Sequence, residues 1–331
     1  TKWSALLSSV VTNNLFIQPV GNEAPWFRYH SLFQEFLSRR IHEEHPEQAN
    51  VILDKLAHYY IQNQIWEKAY KVRKEQGIPE LIAEMIELSI PALMQNCQIS
   101  LCRQWVDDLP IEITESHPFL LAAKGHAYTS IDLATSLVML DHAVEMVGDR
   151  PESTTYVYAL VWRAQTHRMA GSLHLALQGV DLALSMIERL ASPPDGDCPH
   201  VSPTVGRLHG KLSIYPQERW EMIHAEALCA KGIVLCMTGQ LPDGVTYLAK
   251  AVQVYDELGE SARGALVLAD LATANLHMGK YEDARSLFHS ALDRTGNFSR
   301  QRSRIQILNN LGSLYYPVSY THLRAHETSN H

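Results

Sequence analysis

The chain has 331 residues, 46% of them hydrophobic, with 28 basic and 36 acidic side chains and a formal net charge of −8. The length predicts two or three domains, each able to bury a core. The acidic balance argues against nucleic-acid binding by the chain as a whole, because neutralising phosphates takes clustered Lys and Arg. No run of about 18 apolar residues is present, so neither a transmembrane helix nor a membrane partner is expected. Five cysteines are too sparse and odd in number for a disulfide framework, which points to a reducing, cytoplasmic setting.

Thr1 opens the chain inside an apolar helical pattern (Trp3, Leu6, Leu7, Val10), with no initiator Met and no signal-peptide pattern, so the start reads as a cut. A β-like run, Leu15 to Val20, is followed by turn chemistry at Gly21-Asn22-Glu23 and a second run, Trp26 to Tyr29, together predicting a β-hairpin. A helix follows over Ser31–Glu44, with Leu32, Phe33, Phe36, Leu37 and Ile41 spaced as one face. From about residue 47 to residue 316 only helical periodicity is found, broken by Gly, Pro and Asn/Asp clusters.

A period of 40 runs through this stretch. Ala143, Ala183, Ala251 and Ala291 are separated by 40, 68 and 40 residues; Gly171, Gly239 and Gly279 by 68 and 40; Ala164, Gly232, Ala272 and Gly312 by 68, 40 and 40. The extra 28 residues in each 68 match a Pro- and Gly-rich insertion at 191–217. Each unit repeats one grammar: small, large, Gly, small, large, Ala, as in Ala272, Asn275, Gly279, Ala284, Phe288 and Ala291. Small residues let the two helices of a hairpin approach closely, large ones fill the groove between hairpins, and Gly supplies the left-handed turn. The spacing resembles the tetratricopeptide repeat, with a period longer than that family's 34 or so. The fold class expected is all-α: a TPR-like superhelix of helical hairpins preceded by a winged-helix remnant with a β-hairpin.

Trp26-Phe27-Arg28-Tyr29-His30-Ser31-Leu32, running on to Phe36-Leu37, resembles the end of the winged-helix domain in the MalT-like, LuxR-type ATP-dependent transcriptional regulators of the STAND class. Leu56-Ala57-His58-Tyr59-Tyr60 with Trp66-Glu67-Lys68-Ala69 is similar to their first helical hairpin, and Leu101–Pro110 with His117-Pro118-Phe119-Leu120 to a further motif of that family. The resemblance implies 1–44 as the end of a winged-helix domain and 45–316 as a TPR-like sensor. It also implies an effector, either a small-molecule inducer or a regulatory protein, bound in the superhelix groove and controlling oligomerisation and transcription activation in a longer parent that uses ATP/ADP and self-associates. A scaffold of helical repeats for a protein or peptide partner is the alternative; a parent whose output is a kinase or cyclase is a third reading. No Gly-x-x-x-x-Gly-Lys-[Ser/Thr] and no basic helix-turn-helix is present, so this chain is expected neither to hydrolyse ATP nor to bind DNA by itself, and to need no cofactor of its own. Residues 317–331 resemble a translated sequencing-adapter read, which would remove His322, His326 and His331 from consideration as ligands.

His30 reproduces the family's His-x-Leu-x-x-x-Phe-Leu pattern, which implies contact with nucleotide phosphates; a buried structural His is the alternative. His42-Glu43-Glu44-His45 has no third metal ligand in reach and reads as a solvated helix end, and no metal site is expected. Cys97/Cys102 and Cys229/Cys236 read as small apolar fillers, Asp107-Asp108 as a solvated face, and no catalytic triad pattern is found. Ligand-groove candidates on the first helices of the hairpins are Tyr128, Tyr156, Trp162, His167, Arg168, His224 and Asn275. Aromatic faces beside polar tips would suit a sugar or another small polar ligand; inter-repeat packing is the alternative for each.

Overall fold

In a computed structural model, the structure describes Ser9 and residues 16–19, 27–96, 98–148, 153–191, 218–295, 304–305 and 307–312. The insertion after Ala191, Cys97 and the tail from 313 onward lie outside the described residues. Two compact units are present, Thr1–Met85 and Ile86–His331.

The first unit opens with the expected hairpin: β1 (Ile17–Pro19) pairs antiparallel with β2 (Phe27–Tyr29), Ile17 opposite Tyr29. The chain then enters α1 (Ser31–Glu44), and His30 donates its backbone N–H to the Phe16 carbonyl at 2.7 Å, tying strand end to helix start. Phe33 stacks on Phe16 at 4.6 Å between ring centroids and meets Tyr29 of β2 at 5.8 Å, so the hairpin rests on the helix through this aromatic cluster. α2 (Pro46–Gln62) and α3 (Trp66–Gln76) form a helical hairpin around Leu53, Ala57 and Val72. Proline at the first position of α2 loses nothing, since that N–H has no intrahelical partner. Arg73, 4% exposed, reaches Asp54 at 2.7 Å and Gln76 at 2.8 Å, which fixes α3 against α2. The division between the units falls within α4 (Pro79–Gln95).

The second unit continues with α5 (Ile99–Asp107) and α6 (Ile111–Ser116), whose buried Cys102, Trp105, Val106 and Leu109 come from the Leu101–Pro110 motif. Four helical hairpins follow. Their first helices are α7 (Pro118–Tyr128), α9 (Thr154–Met169), α11 (Glu218–Met237) and α13 (Ser261–His277); their second helices are α8 (Leu133–Val147), α10 (Leu173–Ala191), α12 (Leu241–Glu257) and α14 (Tyr281–Arg294). Each second helix also packs on the next first helix, and consecutive first helices touch one another. First helices are therefore enclosed on most sides, and α9 buries Val157, Tyr158, Ala159, Leu160, Val161, Trp162, Ala164 and Thr166. Second helices bury a stripe; α14 buries only Ala284, Phe288 and Ala291. Such stacking leaves the first helices lining a concave inner face.

The expected grammar is the packing code. Ala143, Ala183, Ala251 and Ala291 are each fully buried, and so are Leu140, Val180 and Phe288 three residues earlier, with Leu248 at 1%. Gly171, Gly239 and Gly279 end first helices with φ of +78°, +85° and +75°. At each, the Gly N–H and the next N–H close the last turn on carbonyls three and five residues back, as Gly279 does on Leu276 and Lys280 on Asn275. α7 ends without such a glycine; Asp132 caps α8 instead, accepting from the backbone N–H groups of Ala134 and Thr135. Beside that turn, the buried hydroxyls of Thr129, Ser136 and Thr166 bond one another at 3.0–3.3 Å and join α7's end to α8 and α9.

A Cβ placed on Gly244 would meet Cys236 Sγ at 2.4 Å and the Gly232 carbonyl at 2.8 Å, whereas one on Gly312 would meet nothing within 4 Å. Gly244→Ala is therefore expected to cost about 1–3 kcal/mol through overpacking, with Gly312→Ala near neutral, as read from urea unfolding midpoints.

Candidate functional site

The seven groove candidates divide by their surroundings. Tyr128 is half-buried and turned to α5, its hydroxyl donating to Asp107 at 3.4 Å while Arg103 lies over the ring at 5.9 Å. Trp162 is 1% exposed; His126 and Phe119 lie nearly parallel to the indole at 4.9 and 6.0 Å, and Tyr158 leans on it at 5.1 Å. Its ring is core. Asn275 is buried and satisfied, donating to the Leu271 carbonyl at 2.9 Å. His167 lies near the Arg163–Asp141 ion pair that joins α9 to α8, and burial lowers its pKa. His224 is placed near Glu188 of α10 and Lys250 of α12, its pKa also lowered by burial. Tyr156 is half-buried at the start of α9. Arg168 alone of the seven joins the charged groups of the inner face.

Those groups were not singled out from sequence. Glu226 on α11 and Arg263 on α13 form an ion pair in close contact, with side chains only 13% and 15% exposed. Arg263 also donates to the Tyr255 hydroxyl, and its Nη1 approaches Met222 Sδ at 3.9 Å. Burial pushes the Tyr255 phenol well up, and the charge of Glu226 adds to this. His126 on α7 is close enough to feel both Glu226 and Arg263; burial is the larger influence and holds its pKa down at about 4. The Asp270 carboxyl on α13 is pushed up to about 6 by burial, with the Arg168 guanidinium pulling the other way. Burial also raises the Cys229 and Cys236 thiols, Asp270 adding to both, so each stays a neutral thiol. Four successive first helices thus bring His126, Arg168, Glu226 with Cys229, and Arg263 with Asp270 to one region. The sequence signal was a charge inside an apolar run: Glu226 between Ala225 and Ala227, Asp270 between Ala269 and Leu271.

Elsewhere the residues weighed from sequence are ordinary. His42, Glu43, Glu44 and His45 are all exposed, with His42 Nδ1 on the Ser38 carbonyl at 2.7 Å. Cys102 is buried and its thiol pushed up to about 12. Asp107 and Asp108 are exposed, Asp107 pairing with Lys124 at 2.9 Å. Among the described residues no group of three His, Cys, Asp or Glu is placed to hold a metal ion, and no helix is long and apolar enough to cross a membrane. His30 is exposed at the start of α1.

The fold defines a helical-repeat protein of the tetratricopeptide class, and residues 224–295 match the tetratricopeptide repeat family. Residues 1–49 match the MalT winged helix domain, and the chain is MalT-like, as its motifs imply. It is 24% identical over 253 residues to the HTH-type transcriptional regulator MalT of Vibrio parahaemolyticus and 22% to that of Vibrio campbellii, covering 69% of this chain and 28% of either relative. A STAND protein with a tetratricopeptide repeat sensor from Pyrococcus horikoshii superposes with a TM-score of 0.64 at 14% identity, over 94% of this chain and 43% of that one. A Rap protein complexed with competence and sporulation factor gives 0.56 at 11%, over 96% and 82%; NprR with its cognate peptide NprX gives 0.54 at 12%, over 86% and 78%. These three show a shared fold.

His126 and Asp270 have opposite effects on stability in acid. The folded pKa of His126 lies below its ordinary 6.5, so its contribution is lost as pH falls from about 6.5 to about 4. That of Asp270 lies above 3.8, so its contribution is gained as pH falls through about 6. Each is on the order of 3 kcal/mol, so they offset one another. Asp270→Asn is expected to uncover a steady loss of stability on acidification, and His126→Gln a gain, in urea titrations across that range.

Proposed function

We propose that this chain is the effector-sensing part of a MalT-like regulator. A small-molecule inducer or a regulatory protein seats on the inner face of the hairpin array, and its occupancy controls self-association and transcription activation in a longer, ATP-dependent parent. The chain's own contribution is binding, with no catalysis. The observation that carries this reading is the joining, in one chain, of a MalT-type winged-helix end to a repeat array whose inner face holds charged side chains beyond what hairpin closure requires. The exposed His30 supports a role toward nucleotide phosphates, since an imidazole at the first turn of a helix is a donor suited to an anion. ATP or ADP would be held by parts of the parent outside this chain.

A second reading, a scaffold for a peptide or protein, is favoured by the Rap and NprR folds, solved with a signalling factor and a peptide. Both readings are separated in the parent protein. With ATP and an effector drawn from a metabolite panel, sedimentation is expected to show a shift to oligomers, and His30→Ala to raise the oligomer fraction without effector. Self-association indifferent to nucleotide and to every metabolite, combined with stoichiometric binding of a defined peptide, would establish the scaffold instead.

A further inference from the structure

The geometry points to Arg168 and Asp270 as a subsite for a ligand that carries both a carboxylate and an ammonium group, the charge pattern of an amino acid or the ends of a short peptide. This rests on the effector-sensing reading above and names the class of effector.

Three observations carry it. Arg168 Nε is sealed from solvent with no hydrogen-bond partner among the described residues. An N–H that cannot be deprotonated and is left unpaired inside a protein costs free energy until an acceptor arrives, and a carboxylate is the strongest acceptor it can receive. Asp270 is the complement: the residue is partly exposed, its carboxyl lies in desolvated surroundings, and among the described residues no hydrogen bond to it is seen. Arg168 is close enough to influence it electrostatically, yet the pair is not an ion pair of contact distance, whereas Glu226 and Arg263 beside it are closed upon each other. One ion pair on this face is complete and the other is open.

The third observation weighs against the carbohydrate suggested by the aromatic residues. A sugar ring stacks best on an uncovered aromatic face, and the aromatics at this cluster are covered: Tyr255, bonded to Arg263, is 3% exposed, and Trp162 is 1% exposed beneath His126, Phe119 and Tyr158. Tyr128 is engaged with Asp107 and Arg103. What lies open is charge of both signs, flanked by the neutral thiols of Cys229 and Cys236.

The test is isothermal titration of the whole chain with the standard amino acids, glycine-containing dipeptides and neutral oligosaccharides. At least one amino acid or dipeptide is expected to bind saturably; if the free amino acid suffices, the source is a metabolite, and if only the dipeptide binds, it is a peptide. N-acetylated and carboxamide forms of that ligand should lose binding. Arg168→Gln and Asp270→Asn should each weaken it about tenfold or more, while Glu282→Gln, an exposed change on α14, leaves it unaltered. The unaltered chain supplies a second readout. Facing Arg168, Cys229 and Cys236, the Asp270 carboxyl titrates near pH 6, so affinity should fall as pH drops through about 6. Binding by oligosaccharides alone, no binding by any amino acid or dipeptide, affinity flat between about pH 7.5 and about pH 5, or folded variants that bind like the parent chain would each overturn the subsite. An oligosaccharide that drives self-association of the longer protein would sink this inference and spare the sensing reading; amino-acid binding without any effect on self-association would do the reverse.

Discussion

The structure depends on how closely two helix backbones can approach within each hairpin. A residue no larger than Ala or Ser must stand at the contact on the second helix, and Ser136, Gly179, Gly244 and Ala284 do so, all buried. In the α11–α12 hairpin both contacting positions are glycine, and the Gly232 carbonyl lies 2.8 Å from where a Gly244 Cβ would stand. In the α9–α10 hairpin the tight contact is Ala164 against Gly179 instead, where an added Cβ would come to 3.3 Å. Close approach lets Leu140, Val180, Leu248 and Phe288 fill the space beside it, and that filling sets where the next hairpin stacks.

Much of this was legible because it obeys a spacing. A glycine forty residues from its counterpart needs no coordinates to be recognised as a hairpin turn, and the αL geometry of Gly171, Gly239 and Gly279 is the physical reason. The β-hairpin and the Ser31–Glu44 helix were readable for the same local reasons. The inner face was not. Whether Trp162 presents its indole to a groove or to the core depends on α7, which packs Phe119 and His126 against it from thirty-six to forty-three residues earlier in the chain. Glu226 and Arg263 are thirty-seven residues apart on different hairpins, and no periodicity within either helix announces their pairing. His167 and His224 were drawn to the groove by helix assignment alone, whereas Asp141 near His167, and Glu188 and Lys250 near His224, lie on second helices.

The charged residues of the inner face follow from the enclosure of the first helices. A helix packed on most sides has little room for charge, and a charge kept there must be paired or be neutralised by a shifted pKa. Both outcomes occur within one region. Glu226 and Arg263 pair; His126 gives up its proton, and Asp270, ionised at neutral pH, takes its proton already at about pH 6. Retaining such groups where apolar ones would pack without penalty is the pattern expected of a surface shaped for recognition rather than for stability.

The glycine turns have a further consequence. Hairpin closure there is accomplished by backbone N–H groups and one residue without a side chain, so it makes no demand on what the first helix presents to the interior of the stack. Form and specificity are written in separate positions of each repeat. Such an array can diverge in what it recognises through substitutions on its first helices while its folding instructions stay constant, and duplicating one repeat adds a fresh set of recognition positions without renegotiating the old ones.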